Sequence, residues 1–175
     1  LKYASELLLG LPVASVGPSV ASVYGARLRL GGAVCLSVSQ SGASPDIVAM
    51  TRGARAGGAL TVALTNDAGS RLAAEAEQVI DICAGPERSV AATKTFVTSA
   101  LAGLWLLAEV KGDAALLAAI RDLPAALEAA RAADWSALDR ALGAGSVYTL
   151  GRGPAWAISN EAALKFKEVC QIHAE

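Results

Sequence analysis

The chain holds a single histidine, a single methionine and three cysteines in 175 residues. With one imidazole there is no histidine pair for a metal centre. Cys35, Cys83 and Cys170 are widely spaced, form no CxxC pair and stand at no zinc spacing from His173, so no metal ligand set is expected. Cys35 and Cys83 lie in apolar runs and are expected as core thiols, which suits a reducing, cytoplasmic setting. Aromatics make up only 5% of the residues, which argues against an aromatic-rich β-sandwich. Neither sign of charge dominates: 15 basic residues face 16 acidic ones, with no Lys/Arg stripe and no acidic tail, so no nucleic-acid partner is expected. The longest apolar run, at 96–110, is too short to cross a bilayer and contains Thr98, Ser99 and Glu109. It predicts a buried helix and no membrane partner. No signal peptide is visible.

What the chain has in abundance is small and aliphatic residues, 54% hydrophobic in all, enough for a real core. Short runs rich in Val, Leu and Ile at 12–16, 33–39, 60–66, 79–84 and 146–151 predict strands, several of them apolar on both faces. Helical patterns lie between them, at 44–57, 70–78 and 89–112. The expected architecture is α/β, a doubly wound parallel sheet with flanking helices. From 113 to 145 the pattern is helical throughout, with Pro124 expected to break a helix or open a new one and Asp134 to cap another. A strand and a helix around 160–173 follow and suggest the opening of a second α/β unit. The expected divisions are 1–112, 113–145 and 146–175. Because the chain opens inside a helical pattern with no strand before it, a window of a longer protein is expected, with the first strand of the sheet outside it.

The most informative stretch is LSVSQSGASPDIV, residues 36–48. Ser37, Ser39, Ser41 and Ser44 crowd the end of a strand, and Ser44-Pro45-Asp46 is a strong helix start: a capping hydroxyl, a proline at the first helical position and an acid in the first turn. In parallel sheets ligands bind where a strand's carboxyl end turns into a helix. Gly42 allows a tight turn, and Ser39, Gln40, Ser41 and Ser44 can join the helix N–H groups in holding a phosphate without a lysine. A Walker loop is absent. The plain alternative is a turn with an ordinary helix cap.

Three blocks resemble one family. SVSQSGASPDIV is similar to the phosphate-binding signature of sugar isomerase (SIS) domains. ERSVAATKTFVTSALA (87–102) resembles the stretch that follows a later strand in these proteins, and LGRGPAWAISNEAALKFKEVCQIHAE (150–175) resembles the opening of the second SIS domain in double-SIS aldose–ketose enzymes. The resemblance implies a flavodoxin-like fold and a hexose or hexosamine phosphate substrate. It also implies no cofactor and a homodimer. By the same resemblance Glu168 is the base that moves a proton between C1 and C2, Lys165 assists, and backbone around Val90 and Ala92 lines the sugar. The resemblance also sets Ala92 where many of the aminotransferase members have serine. The spacing of Glu161, Lys165 and Glu168 puts them on one helical stripe, and without the resemblance this reads as a solvated ion-pair ladder. Phe166, Val169, Cys170 and His173 form a neighbouring stripe, with His173 read as a packing or capping residue near the helix end.

The implied reaction is glucosamine 6-phosphate to fructose 6-phosphate and ammonia, because PERSVAATKTF looks more like the stand-alone deaminases. The isomerase part of a glutamine–fructose-6-phosphate aminotransferase is the alternative, and a sugar-phosphate sensor without catalysis is another. A nicotinamide-binding Rossmann reading is poor: GRGPAW begins as G-x-G but lacks the third small residue and a suitably placed acid.

Overall fold

In a computed structural model, described for residues 1–89, 91–143 and 145–175, the chain divides into two compact units. One comprises Ala14–Leu106 and the other Leu1–Val13 with Leu107–Glu175.

The chain opens with α1 (Lys2–Leu9), which belongs to the second of these units and ends on Gly10 in a left-handed conformation. The first unit starts with a short helix, α2 (Ser19–Ser22). It continues through β1 (Val34–Ser39), α3 (Pro45–Ala56), β2 (Leu60–Thr65), α4 (Arg71–Glu75), β3 (Gln78–Asp81) and the first part of α5 (Lys94–Lys111). The three strands make one parallel sheet in the order β1-β2-β3, with Ser37 opposite Ala63 and Leu64 opposite Ile80. Successive side chains of a strand point to opposite faces, and β2 is buried on both. Ala63 packs with Val48 of α3 and Leu72 of α4 on one face. Val62 and Leu64 pack with Ile82 and with Ala102 of α5 on the other. This two-sided cover is the physical reason for the unbroken apolar run in β2, and it gives the parallel, helix-flanked α/β arrangement read from the sequence.

Several expectations are corrected. Residues 12–16 form no strand: a strand exists only beside a partner, and among the described residues none pairs with this segment. The helix expected at 70–78 is only Arg71–Glu75, capped by Ser70, whose hydroxyl accepts from the Ala73 N–H at 3.3 Å. The helix expected to start at Ser89 starts at Lys94. The N–H groups on either side of that start donate to the Glu87 carboxylate, Thr93 N at 3.2 Å and Thr95 N at 3.0 Å. Because β3 ends at Asp81, Cys83 lies beyond the strand, exposed and at φ +52°, and is no core thiol; Cys35 is half-buried.

The second unit continues with α6 (Ala114–Ala132), a 3-10 turn (Ser136–Leu138), α7 (Asp139–Leu142), β4 (Ser146–Val147), α8 (Ala155–Cys170) and β5 (His173–Ala174). Pro124 neither breaks nor opens a helix but lies inside α6. Alanine, leucine and arginine on both sides carry the helix past the missing N–H, at a local cost of about 3 kcal/mol. Asp113, not Pro124, sets the start, accepting from Leu116 N at 3.0 Å. Asp134, expected as a cap, lies one residue before the cap position, which Trp135 takes; its carboxylate accepts from Ser136 N at 2.9 Å. β4 and β5 pair in parallel around α8. His173 therefore sits in a strand rather than at a helix end, because α8 stops at Cys170 on the left-handed Gln171. Along the stripe Phe166 is half-buried while Val169, Cys170 and His173 are exposed; the buried residue of α8 is Ala163. Among the described residues no helix is long and apolar enough to cross a membrane.

Candidate functional site

The four crowded serines have different partners. Ser37 faces α3 from inside the unit and is buried, with its hydroxyl 2.7 Å from that of Thr51, which in turn donates to Ile47 O at 2.8 Å. Its hydroxyl satisfies a core helix and is not part of the loop. Ser39, half-buried at the carboxyl end of β1, accepts from Gly42 N at 3.2 Å, and exposed Ser41 accepts from Ala43 N at 3.3 Å. Each of these hydroxyls, by accepting from the backbone, keeps its own O–H free to donate outward. Ser44 is the N-cap of α3, yet its side chain makes no capping bond. Pro45 occupies the first helical position and has no N–H, and Val48 N already bonds Ser44 O at 3.1 Å. The residues between them, Asp46 and Ile47, carry the N–H groups for which the helix supplies no acceptor.

The loop is shaped from behind. Gly42 has φ +57°, and a Cβ on it would overlap the Ser70 side chain and stand 3.1 Å from Thr65 Oγ1. Glycine is required here on two counts, by backbone conformation and by close approach. The Gln40 carbonyl accepts from Asn66 N at 3.1 Å and from the Thr65 hydroxyl at 3.4 Å, while the Gly42 carbonyl accepts from Leu72 N at 3.0 Å. The Gln40 side chain is exposed. Sequence reading found the loop but missed Thr65 and Ser70, whose contribution depends on the β1–β2 pairing.

Beside the loop, at the carboxyl ends of β2 and β3, Asn66, Asp81, Cys83, Gly85 and Pro86 line an open depression of about 520 Å³. Asn66 holds its far wall, donating to Gly85 O at 2.8 Å and accepting from Ala84 N at 2.9 Å. The Glu87 carboxyl is held below the usual carboxylate range, chiefly by the Thr95 backbone N–H. Lys94 Nζ donates to Pro86 O at 2.5 Å. Ala92 is half-buried in the segment between Glu87 and α5, and Val90 lies outside the described residues.

In the other unit, α8 brings Lys165 within 3.0 Å of both Glu161 and Glu168. The Glu161 carboxylate first, and Glu168 after it, holds the Lys165 ammonium above the ordinary lysine range. Lys165 is thereby a fixed cation rather than an amine base. Glu168 is the open end of the ladder, its side chain 41% exposed against 21% for Glu161. The ladder is present as spaced, with Glu168 its more exposed carboxylate, accepting from Lys165 Nζ at 3.0 Å. Among the described residues no group of three or more His, Cys, Asp or Glu side chains could hold a metal ion.

The sequence profile of the SIS domain matches residues 10–109. The glutamine–fructose-6-phosphate aminotransferase (isomerizing) of Aeropyrum pernix is 39% identical over 99% of this chain, which spans 30% of that protein. The enzyme of the same name from Halobacterium salinarum is 37% identical, again over 99% of this chain and 31% of its own length. The chain thus spans about a third of the curated relatives it matches. Among solved structures, a Silicibacter pomeroyi protein assigned as a phosphosugar isomerase is 66% identical with a TM-score of 0.96, over 99% of this chain and 54% of its own. The glucosamine-6-phosphate deaminase of Thermotoga maritima, 18% identical with a TM-score of 0.81 over 99% of this chain and 54% of its own, shares the fold.

Proposed function

This chain belongs to the SIS-domain family, and on that premise we propose that it binds a hexose or hexosamine phosphate and interconverts its aldose and ketose forms. The observation that carries the reading is the 39–44 loop. There, hydroxyls that keep their donors free meet the N-terminus of a twelve-residue helix at a strand's carboxyl end. Ser39, Gln40, Ser41 and Ser44 take the phosphate, and the backbone near Ala92 and Val90 lines the sugar. A phosphate gripped away from the reacting carbons supplies the binding energy that fixes the open-chain form.

Glu168 is the proton carrier. It removes the proton from C2 of the open-chain sugar, and the resulting enediol or enolamine is reprotonated at C1 by the same carboxyl. Lys165, kept protonated by its two carboxylate neighbours, offsets charge on the developing oxyanion. With an amino group at C2 the product is an imine; water adds to that carbon and ammonia leaves. Residues 146–175 are taken as the opening of a second SIS unit; the parallel β4–β5 pair around α8 supports this.

Deamination of glucosamine 6-phosphate is the preferred form of the reaction. Glutamine-dependent synthesis of the same aminosugar is favoured instead by the naming of relatives at 37–39% identity. The full-length protein separates the two: ammonia released from glucosamine 6-phosphate supports the first, and product formed from fructose 6-phosphate only with glutamine supports the second. In either assay Glu168→Gln lowers turnover by at least about 100-fold with KM little changed. Undiminished turnover removes Glu168 from the mechanism, and a wild-type protein that neither turns over nor binds any hexose phosphate ends the proposal.

A further inference from the structure

We propose that Thr65 is a positioning residue for phosphate binding, setting the loop at 39–44 from beneath without touching the ligand. The inference rests on the phosphosugar reading above and names a residue which that reading does not use. Thr65 is the last residue of the central strand and is fully buried. Its hydroxyl donates to the Gln40 carbonyl at 3.4 Å and accepts from Asp67 N at 3.3 Å. It also abuts Gly42, since a Cβ on that glycine would come within 3.1 Å of Thr65 Oγ1.

The chemistry of an anion site gives this contact its meaning. A carbonyl oxygen turned into the loop would oppose a phosphate, whereas the neighbouring N–H and O–H groups favour it. Two donors from the end of β2, the Thr65 hydroxyl and the Asn66 N–H, hold the Gln40 carbonyl against the strand. Valine at 65 keeps the shape but removes one of those donors and strips Asp67 N of its acceptor. The loop keeps its covalent neighbours and its serines but loses the constraint on the Gln40–Ser41 peptide.

The test uses the full-length protein, with a hexose 6-phosphate as substrate and inorganic phosphate as competitor. Thr65→Val is expected to raise both KM and the phosphate inhibition constant by about threefold to tenfold while kcat stays within about twofold. Thr65→Ser, which restores the hydroxyl, returns both constants to the wild-type range. A merely structural threonine predicts otherwise: a lower melting temperature with both constants unmoved well below it. That outcome overturns the inference while leaving the phosphosugar reading intact. If Thr65→Val does not fold, Thr65→Cys carries the same comparison with a weaker donor. A wild-type protein indifferent to hexose phosphate and inorganic phosphate alike removes both readings.

Discussion

Replacing Gly42 by alanine tests how tightly the loop is built. The residue stands at φ +57°, where a Cβ meets its own backbone and costs about 1–2 kcal/mol. The added carbon also overlaps the Ser70 side chain and presses on Thr65, and Leu72 N is bonded to the residue's carbonyl, so the loop cannot simply lift away. Forcing a methyl into such packing costs about 1–3 kcal/mol more, for a total of about 2–5 kcal/mol. At about 2–4 °C per kcal/mol for a chain of this size, the melting temperature falls by roughly 4–20 °C. Gly85 is the internal control: its φ is +66° and a Cβ there meets nothing within 4 Å. Gly85→Ala therefore pays the backbone cost alone. Thermal and urea unfolding of both variants, followed by circular dichroism, measure the difference. Equal destabilisation by the two substitutions refutes the close-packed loop.

Two further outcomes follow from the separate roles of neighbouring groups. Ser37→Ala removes one hydroxyl of a buried pair and lowers stability by about 1 kcal/mol without changing phosphate affinity. Ser41→Ala does the reverse, and unfolding curves paired with phosphate titrations distinguish them. Glu87 is held below its ordinary pKa, so its contribution to stability is present above pH 4.5 and is lost as pH falls through its lowered value. Glu87→Gln is expected to be less stable than wild type at neutral pH, with the gap closing in acid. A gap that persists unchanged at low pH refutes the carboxylate cap.

The parts of the molecule legible in the sequence are those written locally. The run 60–66 declares a strand covered on both sides because each face needs apolar residues, and Ser44-Pro45-Asp46 declares a helix start within three positions. Glu161, Lys165 and Glu168 meet because a helix fixes their spacing. What escaped depends on distant partners. Glu87 rather than Ser89 caps α5 from seven residues before its first turn, through a folded-back segment that no spacing rule announces. Residues 12–16 have the composition of a strand, but pairing is a property of two segments, not one. Ser37 stands in the same serine-rich run, but its partner, the Thr51 hydroxyl on α3, is fixed by packing of the helix on the strand and not by spacing.

The α4 helix is one turn and a fraction, Arg71–Glu75, far too short to persist on its own. Its Leu72 amide is clamped by the Gly42 carbonyl, so the first turn of this small helix is anchored to the serine turn itself. An anion settling into that turn should therefore slow deuterium uptake at Leu72, even though this leucine lies wholly in the apolar interior. A buried aliphatic residue becomes a silent gauge of occupancy, readable by exchange mass spectrometry with no probe placed in the cleft.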